Sequence, residues 1–325
     1  MSSNSNTTSE FENKLFNSNS FKSNEIEKKV VTALEKRNWH VLRSPYYRDP
    51  KSLKFRELDI KANYKYTTKN FEKKYYVVDY TLILECKTLN GYHILFDGTP
   101  SQVANRPNVY RVWSGNDNYN GYEIFRQILS KNHINVKSEK KIIEGLSNMH
   151  FPKGESSIGD YQIEPCPIQA FSSFRETNIG TEKDFDNSVI WKASQELQSV
   201  IASEEIEYYD TIESNVSGEL ELHTEEILKS NKKSVTLCKK VIKDWGRIRD
   251  FQIIYPILVV DCNLWDITES EKIKPLQFCR LLFTEMNGFN KHWIDIVTLK
   301  HIDNYLEIIS SHYLANVDEK TRLKI

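Results

Sequence analysis

Apolar positions recur along this chain first at helical spacing and then at strand spacing. In "SNEIEKKVVTALEKRNW", Ile26, Val30, Ala33 and Leu34 line one face of a helix, and Ser23 or Asn24 is placed to cap its start. Ahead of it, residues 1–22 are rich in Ser and Asn and read as a disordered tail. "HVLRSPYY" (40–47) reads as one strand ending near Pro45, and "LKFRELDIKANYKY" (53–66) as a second. "KKYYVVDYTLILECKT" (73–88), dense in β-branched and aromatic residues, is the third, with the polar "TTKNFEK" as a hairpin connection between the last two.

Residues 91–188 lose this rhythm. They are rich in Gly, Asn, Pro and Ser, and read as an insertion that elaborates a core, without a second core of its own. Order returns at 189. "VIWKASQELQSVIASEEIEYY" reads as a helix. "ELELHTEEILKSNKKSVTLCKKVIKDW" reads as another, acidic at its start and basic at its end, as the helix dipole favours. Three strands follow in "FQIIYPILVVDCNLWDI", "LQFCRLLFTE" and "HWIDIVTL", and "KHIDNYLEIISSHYL" closes the chain as a helix. Strand clusters with helices at both ends predict an α/β fold, a sheet sandwiched by helices. One elaborated domain spans 23–325, its core in 23–90 and 189–325.

Composition narrows the class. A chain of 325 residues, 39 % hydrophobic and 27 % charged, has material for a real core. The 44 Lys and Arg nearly cancel the 45 Asp and Glu, so any nucleic-acid contact must come from a local patch. Five cysteines (Cys86, Cys166, Cys238, Cys262 and Cys279) form no C-x-x-C and suit a reducing compartment. The first residues carry no apolar signal-peptide core, and the longest apolar run, "IIYPILVV", is far short of the roughly 20 residues of a membrane helix. The expectation is a cytoplasmic protein with no membrane partner.

Against this background "LILECKT" (82–88) stands out, because an apolar strand ends in charge. Residues two apart share a strand face, so Glu85 and Lys87 point one way and Cys86 the other. In "RELDIKA", Glu57, Asp59 and Lys61 share one face against Leu58, Ile60 and Ala62. If the two strands pair, Asp59 and Glu85 converge. Two carboxylates are what Mg²⁺ asks of a protein, because it keeps several waters and uses substrate phosphate for the rest. A neighbouring lysine can orient the attacking water and offset charge building on phosphate. The set suits hydrolysis of a phosphodiester.

"RELDI", a hairpin and then "LILECKT" resemble the signature of the PD-(D/E)XK nucleases, the restriction-endonuclease-like superfamily. The resemblance covers about residues 24 to 90. It implies a restriction-endonuclease-like mixed β-sheet flanked by helices, with a long insertion after the third strand. The family's metal-binding aspartate falls on Asp59, and the glutamate and lysine of its E-x-K half fall on Glu85 and Lys87. Glu27, in the preceding helix, takes the place of a glutamate that helps hold metal or water. One departure is Leu58, which stands where the motif has proline. The resemblance implies a Mg²⁺-dependent endonuclease, with Mn²⁺ as a substitute, acting on DNA in restriction, defence or repair. RNA shares the same site chemistry. Double-strand cleavage would call for a homodimer.

Blander readings stand beside these. Alone, Glu85 and Lys87 read as a strand-end ion pair, Asp59 as a solvated strand-end residue and Glu27 as an exposed residue favourable to the helix dipole. Glu57 and Lys61 read as solvated or paired neighbours, while Asp49 and Asp79 are rival acids. Gln195 and Gln198 are candidates to approach substrate from the later helix. The basic run containing Lys232, Lys233, Lys239, Lys240, Arg247 and Arg249 is a candidate phosphate contact, and "RPNVYRVW" a candidate stacking segment. No P-loop, G-x-G-x-x-G, H-E-x-x-H or G-x-S-x-G motif occurs, and His133 in "KNHIN" is too thin for a histidine-metal site. The rival function is a non-catalytic nucleic-acid- or protein-binding module that keeps a nuclease-like fold.

Overall fold

The computed structural model describes residues 14–16, 18–69, 75–89, 91–97, 168–178, 181–182, 188–222, 233, 236–237, 251–267, 273–284 and 291–310. The helix that this spacing predicts, α1 (Asn19–Glu35), starts earlier than its apolar residues suggest, and part of the expected tail is therefore helical. The reason is local. Ser18 caps it, its Oγ accepting from the Phe21 N–H (3.2 Å), and Phe21 packs edge-on against Phe16 with ring centroids 4.9 Å apart. The helix ends where Asn38 adopts a left-handed conformation (φ 62°) and the Trp39 N–H reaches back to the Leu34 carbonyl (3.3 Å).

The expected first strand is two strands. β1 (His40–Arg43) and β2 (Tyr46–Arg48) are separated at Ser44, whose φ of 49° turns the chain. The expected second strand is also two. β3 (Phe55–Glu57) pairs antiparallel with β2 as a separate two-stranded flap, and β4 (Ile60–Lys69) pairs antiparallel with β1. This break corrects the face assignment. Leu58 packs on the opposite side of the main sheet from Ile60 and Ala62. β5 (Tyr75–Lys87) matches the expected third strand, and it pairs antiparallel with β4.

From the segment 91–188 come β6 (Tyr92–Asp97), β7 (Ala170–Phe171), β8 (Ser173–Asn178) and β9 (Thr181–Glu182). The long helix α2 (Val189–Leu222) follows, then β10 (Phe251–Val260), β11 (Asn263–Asp266), β12 (Lys274–Leu276), β13 (Phe278–Thr284) and β14 (Lys291–Thr298). A 3₁₀ turn at Leu299–His301 leads into α3 (Ile302–Ile308). The main sheet has seven strands in the order β1-β4-β5-β10-β14-β13-β7. β5, β10 and β14 run parallel, and the β5-to-β10 crossover, which a parallel pair requires, contains α2. A second, five-stranded sheet has the order β12-β11-β6-β8-β9.

The protein is thus mixed α/β, with a mixed sheet flanked by helices. On one face of the main sheet, Ile26, Val30 and Leu34 of α1 and Tyr305 and Leu306 of α3 bury Leu82, Leu84 and Cys86. On the other, Ile190, Ala193, Leu197 and Val200 of α2, with Ile94 and Phe96 of the second sheet, bury Ile83, Ile254 and Leu258. Each fully buried aliphatic side chain here contributes roughly 1.5–3 kcal/mol. Glu176 of β8 ties the second sheet to α2, because its carboxylate accepts from Ser188 Oγ and from the Val189 and Ile190 N–H groups at the helix start. Among the described residues, no helix is long and apolar enough to cross a membrane.

Candidate active site

β5 carries its charge at its C-terminal end, against α2. Ile83 faces the α2 side of the sheet, so by alternation Glu85 and Lys87 do too. The antiparallel register Ile60↔Leu84, extended by one residue, brings Asp59 opposite Glu85. Asp59 lies just before β4. Its Oδ2 accepts the Cys86 backbone N–H at 2.7 Å, which fixes the carboxylate against the end of β5. Lys87 Nζ donates to Glu85 Oε2 at 2.8 Å and stands 3.4 Å from Glu196 Oε2 of α2.

The electrostatics are those of a site short of positive charge. Glu85 is 3 % exposed. Burial raises its pKa, the Asp59 carboxylate raises it further, and Lys87 only partly opposes both. For Lys87, burial works against the charge, but Glu85 and then Glu196 and Asp59 outweigh it and hold the ammonium above its ordinary value. Tyr47, buried in the flap against α2, is pushed up to about 12 by burial, against the pull of Arg56 and with the help of Glu196 and Glu85.

The four residues expected to form the site come from both sides of the sheet. Asp59, Glu85 and Lys87 converge. Glu27 lies on the α1 side of the sheet, where Arg43 holds its carboxylate at 3.1 Å. Its charge reaches the Cys86 thiol, which burial first, and then Asp59, Glu27 and Glu85, keep protonated. Of the rival acids, Asp49 is buried and structural, accepting from the Lys51 and Ser52 N–H groups and from Ser52 Oγ, and pairing with Arg56. Asp79 stands on β5 opposite Lys65, six residues before Glu85 and so roughly 20 Å along the strand. Glu57 is exposed, and Lys61 pairs with Glu204 of α2 at 2.5 Å. Gln195 is exposed and Gln198 half-buried, and neither makes a hydrogen bond to a described residue. Lys233 is exposed; Lys232, Lys239, Lys240, Arg247, Arg249, His133 and the segment "RPNVYRVW" lie outside the described residues.

Two neighbours of the site were not among the expected residues. Glu196 had a signal, because it follows Ala193 by three residues and precedes Val200 by four, which places an acid on the buried stripe of α2. Tyr47 had none beyond its alternation with exposed Tyr46 and Arg48.

The donor set bears on a metal. Hard carboxylate oxygens suit Mg²⁺ or Mn²⁺, whereas the nearby Cys86 is held as a neutral thiol on the other side of the sheet. Among the described residues, no group of three or more His, Cys, Asp or Glu side chains is arranged to hold an ion. Asp59 and Glu85 would be the protein's share, two carboxylates in a place where one lysine is the nearest compensating charge. That fits a cation completing its shell with water and phosphate. No protein-family model, no curated protein and no solved structure matches the chain.

Proposed function

We propose that this protein is a Mg²⁺-dependent nuclease of the restriction-endonuclease-like class, hydrolysing phosphodiester bonds in DNA. The observation that carries the reading is the meeting of Asp59, Glu85 and Lys87 at the end of β5, with the Asp59 carboxylate fixed by the Cys86 N–H. The antiparallel strands β1, β4 and β5, the crossover containing α2 and the parallel strand β10 are compatible with the sheet that this class implies.

In this reading Asp59 and Glu85 would hold the metal. When bound, the ion supplies Lewis-acid polarisation of a phosphoryl oxygen and acidifies a water. Lys87 keeps its proton, so its role is to donate: it orients the attacking water and stabilises charge that builds on the phosphate oxygens. Glu196, 3.4 Å from the Lys87 ammonium, would keep it paired with Glu85 given over to the metal. α2 and the flap cover the site and keep bulk water from Glu85. Glu27 acts only as support, through Arg43 and the Cys86 segment.

A second reading draws on the same pairing. Lys87 already lies between two carboxylates, as in an ion-pair network of a binding module without catalysis. The experiment that separates them is cleavage of plasmid, single-stranded DNA and RNA with and without Mg²⁺. Expected is cutting that requires Mg²⁺ and falls at least about 100-fold in Lys87→Ala. Undiminished cutting by Lys87→Ala would refute the role given to the lysine. Absence of both cutting and Mg²⁺ binding would leave the binding module.

A further inference from the structure

The flap formed by β2 and β3 lies next to the candidate site and has two unlike faces. Inward, Tyr47 is buried against α2, and the chain leaving β3 passes through Leu58 to Asp59. Outward, the register pairs Tyr46 with Glu57 and Arg48 with Phe55, so Tyr46, Arg48, Phe55 and Glu57 share one face. Tyr46 is 70 % exposed and Phe55 74 %. They are diagonal neighbours across the two strands, roughly 7–8 Å apart at the backbone.

The charge on the flap is uneven. Arg48, Lys51 and Lys54 are exposed, and none makes an ion pair with a described residue. Of the two acids, Asp49 is buried and already paired with Arg56. Only Glu57 faces solvent against three free cations. The flap is also rigid. Asp49 Oδ1 accepts from the Lys51 N–H at 2.9 Å and Oδ2 from Ser52 Oγ at 2.8 Å, while the Asp49 carbonyl accepts from the Leu53 N–H at 2.8 Å and its N–H donates to the Lys54 carbonyl at 2.9 Å. The Leu58 N–H donates to the Pro45 carbonyl at 2.9 Å and closes the base.

We infer that the outward face of this flap binds single-stranded nucleic acid, with Tyr46 and Phe55 stacking on unpaired bases and Arg48, Lys51 and Lys54 contacting the backbone phosphates. Every base offers a face to stack on, whereas a continuous duplex hides it, so two exposed rings beside free cations suit unstacked bases. A folded hairpin held by Asp49 loses little freedom on binding. The inference rests on the nuclease reading for its biological sense: it makes the substrate a strand with unpaired bases, held by the hairpin from which the chain runs through Leu58 into Asp59.

The test is fluorescence anisotropy of the full chain with labelled oligothymidine, oligouridine and blunt duplex, without metal, over a series of salt concentrations. Tyr46→Ala combined with Phe55→Ala should weaken binding to a single strand roughly 5- to 100-fold for each stack lost, and change duplex binding much less. Tyr46→Phe should bind as the wild type does, and Tyr46→Leu with Phe55→Leu, which keeps apolar bulk but no ring, should behave like the alanine pair. Arg48→Gln and Lys54→Gln should each flatten the salt dependence by a little under one unit of slope. Loss on the oligothymidine arm alone, the oligouridine arm alone or both supports the inference and says which of the two strands the flap holds. Unchanged binding by the doubly substituted protein overturns it, as does loss of self-association by Phe55→Ala with nucleic-acid binding intact, which would assign the face to a second copy of the chain. Hydrolysis of a small diester such as bis(p-nitrophenyl) phosphate keeps the two readings apart. It should be lost in Asp59→Ala, Glu85→Ala and Lys87→Ala and persist when the exposed rings of Tyr46 and Phe55 are removed, whereas metal-free binding should need those two rings and tolerate Lys87→Ala.

Discussion

Among the described residues two buried carboxylates, Asp295 and Glu85, lie on strands of the main sheet, and they differ in how completely the acid is answered. At Asp295 of β14 every neighbour named around the carboxylate favours its charge. Arg280 of β13 donates through Nε at 2.6 Å and Nη2 at 2.8 Å, Tyr305 donates its hydroxyl at 2.7 Å, and Trp293 lies under the guanidinium with its ring centroid 3.2 Å from Cζ. Burial pushes the Asp295 carboxyl up, and Arg280 and Tyr305 oppose it. At Glu85 burial acts in the same sense, but Asp59 and Glu196 add to it and Lys87 alone opposes. The first group is a closed device that joins β13, β14 and α3. The second, at the end of β5, is left short by one positive charge. What marks a candidate site here is an unanswered carboxylate, and a buried ion pair as such does not.

The largest effect that separates the two is on stability. Arg280→Met should cost about 3–5 kcal/mol in urea unfolding, because it strands a buried carboxylate whose remaining partner is Tyr305. Adding Asp295→Leu should recover most of that loss, since no charge is then buried unpaired. The matching change at the site, Lys87→Met, should cost less than about 1 kcal/mol near neutral pH, because Glu85 is held protonated there and no buried charge is left unpaired. Equal losses from Arg280→Met and Lys87→Met would erase the distinction.

A smaller effect should appear with pH. Glu85 is pushed up to about 8, first by burial and then by Asp59. The folded chain therefore holds a proton through neutrality that the unfolded chain releases near the ordinary carboxylate value. The stability tied to that proton is complete below the unfolded value and is lost as pH rises through about 8, with a slope of at most about 1.4 kcal/mol per pH unit. Lys87, Glu196, Asp59 and Tyr47 face the same space, and Asp295 shifts in the same direction, so the measurement is a difference: unfolding free energy against pH for wild type and for Glu85→Gln. The wild-type curve should fall more steeply, and Mg²⁺ should flatten it by taking the place of the proton. Parallel curves would show that Glu85 is not the group involved.

How much of this was legible depended on range. The run "YYVVDYTLILECK" is one strand because nothing in it breaks β structure, and alternation alone puts Glu85 and Lys87 on a common face. The convergence of Asp59 with Glu85 followed from a hairpin between consecutive strands. The first break was hidden because Ser44 takes left-handed backbone (φ 49°) without being glycine, and the second because Leu58 and Asp59, where β3 gives way to β4, include neither glycine nor proline, so the flap was absorbed into its neighbouring strands. Glu27 was placed by its helical position, but only the sheet showed that α1 and α2 cover opposite faces. The parallel pairing of β6 with β11, and of Arg280's strand with Ala170 and Phe171, joins segments far apart in the chain, and periodicity carries no information about such partners.

The smallest test compares two lysine–glutamate contacts on one face of the sheet. Lys61 of β4 and Glu204 of α2 form a one-to-one pair at 2.5 Å, with side chains 20 % and 12 % exposed. Lys87, by contrast, is shared between Glu85 and Glu196. Glu204 is two turns along α2 from Glu196, and its pair with Lys61 holds the helix to the sheet, so its contribution is to packing. Glu204→Gln should cost about 1 kcal/mol, with a coupling of similar size to Lys61→Met in a double-mutant cycle, and should leave hydrolysis of a small diester unchanged. The pair reaches the chemistry only through the position of α2, and a neutral glutamine of the same length preserves that position. A fall in diester hydrolysis as large as that of Lys87→Ala would mean that the whole row of charges under α2 acts together, and that the shared lysine has no special place in it.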